Sequence, residues 1–322
     1  MTTRTRTRGG LLASLLAVAL AGCSTVTQPV DPAPVGSVRQ PMPANTKIDP
    51  ELGAAGAVDD DCDPTASLPP DSSIPASSTM AEIRQRGHLI AGVDQNTFLF
   101  GFSDPETGEL HGFDIDIARE IARALFGDPD AVRFKAISSA ERVDALANGD
   151  VDIVVRTFSI TCERLEQINF STVYYVAGQR VLVSADSTAR DISDLGGKRV
   201  CATRDSTSLR NIANSTPKPI PVAVDDWSDC LVLLQQGQVA AVSTDDTILA
   251  GMRAQDRTGT KIVGDRFTEE YYGIGVPKDN EDMVRYVNSV LERVRGGAWQ
   301  ESYNRWLRED LGAASPPSPK YR

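Results

Sequence analysis

Two arginines close the segment VRTFSITCER, Val155 to Arg164. Arg156 ends an apolar run, Val151 to Val155, that reads as a buried strand. Arg164 follows eight positions later, with Ser159, Thr161 and Cys162 between. A guanidinium carries five N–H donors in a rigid fork that matches a carboxylate, which a lysine ammonium does not. The carboxyl end of a strand is also where α/β sheets place ligands. Anion recognition is therefore the chemistry these residue types offer. Catalytic groups are scarce. The two histidines are His88, at a strand start, and His111, in a turn. No zinc-ligand cluster, glycine-rich phosphate loop or nucleophile elbow appears, so no catalytic residue, metal or cofactor is expected. A formal charge of -11 over 322 residues argues against nucleic acid as a partner, since no basic stripe is present to meet phosphates.

The elements that must position these residues alternate in type. HLIAGV (88–93) reads as a strand, and Ile117, Ile121 and Leu125 recur on one helical face after Asp114, a candidate N-cap. AVRFKAI reads as a strand, SAERVDALANGD as a helix and VDIVV as a buried strand. A strand-rich stretch, 168–186, leads to a second alternation. There GKRVCAT is a strand and DSTSLRNIANS a capped helix. Trp227, Cys230, Leu231 and Leu234 share a helical face, and VAAVST is a strand. Such alternation argues for α/β architecture with parallel sheets. The restart near 187 argues for two lobes, joined by strand-like segments at 173–185 and 271–277. Lobe one is then 80–183 plus 276–312, lobe two 187–270, and 313–322 a loose tail.

The amino terminus reads as a targeting segment. Arg4, Arg6 and Arg8 precede an apolar stretch, Leu11 to Ala21, too short to span a bilayer. Residues 23–79 hold more than half of the 19 prolines and no apolar period, so they read as a tether. LAGC, Leu20 to Cys23, resembles the lipobox of bacterial lipoproteins. That resemblance implies cleavage after residue 22, a lipid on Cys23 and an extracytoplasmic, membrane-anchored protein. Cys62, Cys162, Cys201 and Cys230 remain, an even number in an oxidising compartment. Two disulfides with three possible connectivities follow.

Four stretches resemble one family: GFDIDIAREIA, GDVDIVVRTFSITCERLEQINFSTVYY, GKRVCATRDSTSL and VAAVSTDDTILAG. They are similar to the polar-amino-acid solute-binding proteins of ABC importers, in the glutamine/glutamate-binding branch, over about 85–310. Actinobacterial lipoproteins of that branch share the four mature cysteine positions. The resemblance implies a periplasmic-binding-protein-like type II fold, two Rossmann-like lobes on a two-strand hinge, closing on a free amino acid as a monomer. It implies Arg164 on the ligand α-carboxylate, with Ser159, Thr161 and the helix start at Thr207 and Ser208 beside it. Asp245 matches the family's acceptor for the α-ammonium, and Asp246 caps the next helix.

Arg156 departs from the small residue many members carry. Facing the cleft, it would pair with a ligand side-chain carboxylate, which favours glutamate or aspartate over glutamine and asparagine. Asp94 would either hold Arg156 or accept from an amide ligand. Phe98 and Phe100 are candidate walls, and Ser139 replaces a frequent aromatic. Each has a plainer reading: an Arg156–Asp94 ion pair, Asp245, Thr207 and Ser208 as caps, both phenylalanines as core. Within this frame Cys201, on lobe two's first strand, can meet Cys230 on a nearby helix, leaving Cys62 for Cys162. The partner is an ABC permease; in the actinobacterial branch it is alternatively a membrane sensor feeding a Ser/Thr kinase. A dehydratase on the same scaffold is the enzymatic alternative.

Overall fold

The computed structural model describes residues 40–52 and 62–322. The expected signal segment, the expected lipidation of Cys23 and the tether residues 24–39 and 53–61 fall outside the described residues. Among the described residues no helix is long and apolar enough to cross a membrane.

Two sheets dominate the unit Met42–Arg322. The first has five strands in the order Val132–Ala136, Leu89–Val93, Ile153–Val154, Gly275–Pro277, Ile168–Phe170. The first three are parallel, whereas Gly275–Pro277 enters antiparallel to both neighbours. That strand comes from the far end of the chain, so lobe one is discontinuous. The second sheet orders Lys47–Ile48, Ile220–Val224, Arg199–Thr203, Ala241–Asp245, Gln179–Ser184 and Thr260–Val263. Each lobe buries its own apolar core, because each sheet must cover its faces with its own helices. Tyr175–Ala177 pairs antiparallel with Glu270–Tyr272 as a separate two-stranded ribbon between the lobes. This ribbon is the hinge.

Three boundaries differ from the sequence reading. Gln179–Ser184 belongs to lobe two's sheet, paired with Ala241–Asp245 and Thr260–Val263. Gly178 separates it from the hinge. A Cβ there would lie 2.5 Å from Arg266 Cδ and 2.6 Å from the Thr268 carbonyl oxygen, so only glycine lets the chain turn so close. Part of the tether is ordered. Lys47–Ile48 adds an edge strand to lobe two, and Met42 and Leu52 pack on its core. Ser67 is buried on lobe one, donating to the Phe170 carbonyl at 2.8 Å. The tail is docked too. Ser67 N–H donates to the Lys320 carbonyl and Arg322 N–H to the Ser67 carbonyl, while Lys320 pairs with Asp63. Polar composition hid these segments, because backbone pairing rather than an apolar period holds them.

Disulfides join Cys62 to Cys162 and Cys201 to Cys230. The first fastens the former tether to lobe one two residues from Arg164.

Candidate functional site

Lobe one buries three guanidinium groups, and two of them, Arg164 and Arg142, line one cavity. The helix Cys162–Gln167 starts at Thr161, whose hydroxyl accepts from the Arg164 N–H at 3.2 Å. That cap aims Arg164 back toward the strand end. Its Nη1 donates to the Ser159 carbonyl at 2.6 Å and its Nη2 to the Asp205 carbonyl of lobe two at 2.7 Å. The second guanidinium is Arg142, on a stretch, SAERVDALANGD, that reads in sequence as an ordinary helix. It opens the helix Arg142–Ala147 and shares a buried face with Ala145 and Leu146. Its Nε donates to the Ser139 carbonyl at 2.9 Å, but Nη1 and Nη2 reach only carbonyls at 3.4 to 3.5 Å. Both guanidiniums lie over the Phe158 ring, at 4.3 Å for Arg142 and 4.9 Å for Arg164. Among the described residues neither has a carboxylate within ion-pair distance. Burial, then the positive charges of Arg164 and Arg156, hold Arg142 well below the usual arginine range. Burial, then Arg210, brings Arg164 down to about 10. Both sites favour an arriving anion.

Arg156 is placed differently. Fully buried, it gives Nε to the Ile137 carbonyl and Nη1 to the Ser139 hydroxyl, each at 2.7 Å. Its Nη2 lies 2.7 Å from Asp94 Oδ2. Asp94 also accepts from Gln95 N–H, Asn96 N–H and the Thr97 hydroxyl. Neither residue lines the cavity described below; together they fix Ser139, which does. Phe100 is fully buried among Phe113, Tyr175 and Tyr272, so its ring is core and not a ligand wall. Phe98 packs against Phe102, also outside the lining. An i, i+2 pair of phenylalanines does not reveal which sheet face looks inward.

Lobe two brings a helix start and a carboxylate. Ser206 caps the helix Thr207–Asn214 by accepting from the Leu209 N–H. Thr207 and Ser208 thus stand in the first turn, at the positive end of the helix dipole. Asp245 ends the strand Ala241–Asp245 and is 3% exposed. Its Oδ2 accepts from the Tyr272 hydroxyl at 2.5 Å, while its Oδ1 is buried and unpartnered. Burial, reinforced by Glu270, pushes this carboxyl well above the usual carboxylate range, against the opposing Tyr272 bond.

These groups meet. A cavity between the lobes is lined by Ser139, Arg142, Arg164, Thr207, Ser208 and Asp245, with Thr157, Ser159, Ser206, Trp227 and Ile248. Its free volume is about 10 Å³, the room of one water molecule. The lobes are closed over it. Arg164 reaches Asp205, the Thr203 hydroxyl meets Ser139 at 3.1 Å, and Arg210 pairs with Glu163. Anything larger enters only when the hinge opens.

Asp114 supports the loop from behind. It is the second residue of the helix Phe113–Phe126, buried rather than the expected N-cap. It accepts from the Thr157 N–H and the Tyr174 hydroxyl, both at 2.8 Å. Thr157 has φ 39, a left-handed conformation a β-branched residue rarely adopts. Burial pushes Asp114 up to about 7. In the unfolded chain it ionises near 3.8, so the native state alone keeps the proton between about pH 4 and 7. Stability attributable to Asp114 therefore falls as pH rises through that window. Asp114→Asn is expected to be more stable than the parent at pH 8, on the order of 2–4 kcal/mol, with no gain at pH 4. Urea unfolding at both values measures this; a pH-independent difference contradicts it.

Two α/β lobes on a two-strand hinge, with one strand returning antiparallel and charged groups converging at strand ends, define a type II periplasmic-binding-protein fold. The signature of the bacterial extracellular solute-binding proteins, family 3, matches residues 89–309, and the chain belongs to that family. It is 37% identical to the ABC transporter glutamine-binding protein GlnH of Bacillus subtilis over 72% of this chain and 85% of that one. It is 31% identical to the glutamate-binding protein GluB of Corynebacterium efficiens over 72% of this chain and 81% of the relative. Among solved structures, an ancestral arginine-binding protein bound to glutamine superposes with a TM-score of 0.64 at 34% identity, covering 71% of this chain and 99% of that one.

Proposed function

We propose that the protein binds acidic amino acids, glutamate or aspartate, between its lobes and delivers them to the permease of an ABC importer. In this reading it works outside the cytoplasm as a monomer, held to the membrane by lipid on Cys23. One observation carries the ligand class: the cavity's fixed charges are two buried guanidiniums without carboxylate partners and one buried carboxylate with a free oxygen. An acidic amino acid carries the complementary set, two carboxylates and one ammonium. Arg164, with the helix start at Thr207 and Ser208, takes the α-carboxylate, Asp245 the α-ammonium and Arg142 the side-chain carboxylate. Ser159 and Thr161 hold Arg164, while Asp94 and Arg156 hold Ser139. Glutamine and asparagine leave Arg142 facing a neutral amide and bind more weakly. The names of the relatives, which include glutamine- and glutamate-binding proteins, support an acidic or amide amino acid as the ligand, and the preference for the acidic ones rests on the cavity's charges.

Calorimetric titration with glutamate, aspartate, glutamine and asparagine tests the reading. Arg142→Met is expected to weaken glutamate about 100-fold while changing glutamine by less than about tenfold. Equal losses for both ligands, or tighter glutamine than glutamate in the parent protein, overturn the assignment of Arg142. No binding of any of the four overturns the ligand class.

A further inference from the structure

We infer that Tyr272, on the hinge strand, is a positioning residue that sets which oxygen of Asp245 meets the ligand ammonium and spaces it from Arg164. The inference rests on the amino-acid reading above. Tyr272 is fully buried and clamped by aromatic neighbours, with ring centroids 5.9 Å from Tyr175 and 6.2 Å from Phe100. Its hydroxyl donates to Asp245 Oδ2 at 2.5 Å and lies 2.9 Å from the Thr247 hydroxyl. With Oδ2 so engaged, the unpartnered Oδ1 is the oxygen with both lone pairs free for a cation.

The same strand supports the opposite pole. Ser159 forms a β-bridge with Tyr272, Ile160 N–H donates to the Tyr271 carbonyl, and Gly273 N–H donates to the Phe158 carbonyl. Ser159 in turn holds Arg164 through its carbonyl. A continuous path of bonds therefore runs from Arg164 through Ser159 and Tyr272 to Asp245. Strand alternation puts Glu270 on the same face as Tyr272. Glu270 accepts from the Thr207 hydroxyl at 2.9 Å, tying the helix start to the hinge as well. The hinge strand is thus a shared mount for the groups that receive the carboxylate and the ammonium, and a lobe rotation about it keeps their anchoring points together.

The phenol also works electrostatically. Its bond opposes the upward push on the Asp245 carboxyl. The charged groups facing that carboxyl are Glu270 on the hinge strand, Asp246 on the following helix and Arg142 from lobe one. None of them changes in Tyr272→Phe, which keeps the ring and removes one donor.

The test compares glutamate with glutarate, which has both carboxylates and no ammonium. Tyr272→Phe is expected to weaken glutamate about 10- to 100-fold and glutarate by less than about threefold. It should also shift the fall in glutamate affinity to higher pH. In an Asp245→Asn background the same change should have little further effect, because the bond it removes no longer supports a charge. Equal weakening of both ligands, an unmoved pH profile, or full additivity of the two substitutions overturns the inference. Failure of the parent protein to bind glutamate would instead overturn the reading it rests on.

Discussion

Arg164→Ala is expected to weaken glutamate binding by at least about 100- to 1,000-fold without unfolding the protein. Removing one partner of a buried charged pair leaves the other, here the ligand α-carboxylate, desolvated with no fork to receive it. The fold should survive for an electrostatic reason. Arg164 and Arg142 lie over one ring, Phe158, with no carboxylate to separate them, and the charge of Arg164 itself depresses Arg142. Deleting one cation relieves that repulsion, so the melting temperature without ligand should hold or rise. Arg164→Lys should recover little, since a point charge replaces two parallel donors and the bonds to Ser159 and Asp205 cannot both be kept. Calorimetry and a melting curve on each variant decide the matter. Near-parental affinity in Arg164→Ala, or a collapse in stability with it, contradicts the assignment.

What was legible in the sequence follows from how each residue is held. Arg164 stands out in sequence because it closes the segment that follows a buried strand end and matches the arginine of the family's central motif; the structure makes it the third residue of the helix Cys162–Gln167. Arg142 does not stand out, because the first residue of an amphipathic helix is normally a solvated charge. The usable signal was that Arg142, Ala145 and Leu146 form an i, i+3, i+4 set that the structure buries. Arg156 shows the converse. A strand end was correctly located, but the side chain turned along lobe one to Asp94 and Ser139, a tertiary choice that residue type alone does not encode. The hinge was placed in outline from two strand-like crossovers. The transfer of Gln179–Ser184 to lobe two depended on a close approach at Gly178, which no local pattern announces. The tail and the first half of the tether read as loose because they lack an apolar period, whereas Cys62 implies that the second half is pinned; the described parts of both are held by main-chain pairing and a disulfide.

Asp245→Asn should be as damaging as Arg142→Met, and its signature is a proton. In the closed, unliganded chain Asp245 is pushed well above the carboxylate range, first by burial and then by Glu270. An α-ammonium beside Oδ1 reverses that balance, since a cation within about 4–6 Å favours the charged form. Binding therefore requires ionised Asp245 and drives off whatever proton it held. The sign is fixed: glutamate affinity falls as pH drops through the raised free-state value and is level above it, and titration at pH values in the sloping region releases protons to the buffer. Comparing binding heats in buffers of different ionisation enthalpy reads that release directly. Asp245→Asn keeps the shape and the Tyr272 contact but has no proton to give. Its affinity should drop about 100-fold and lose both the slope and the buffer dependence. Parental binding that is flat across the acidic range, with heats independent of buffer, would mean that the ammonium is not seated against this carboxylate.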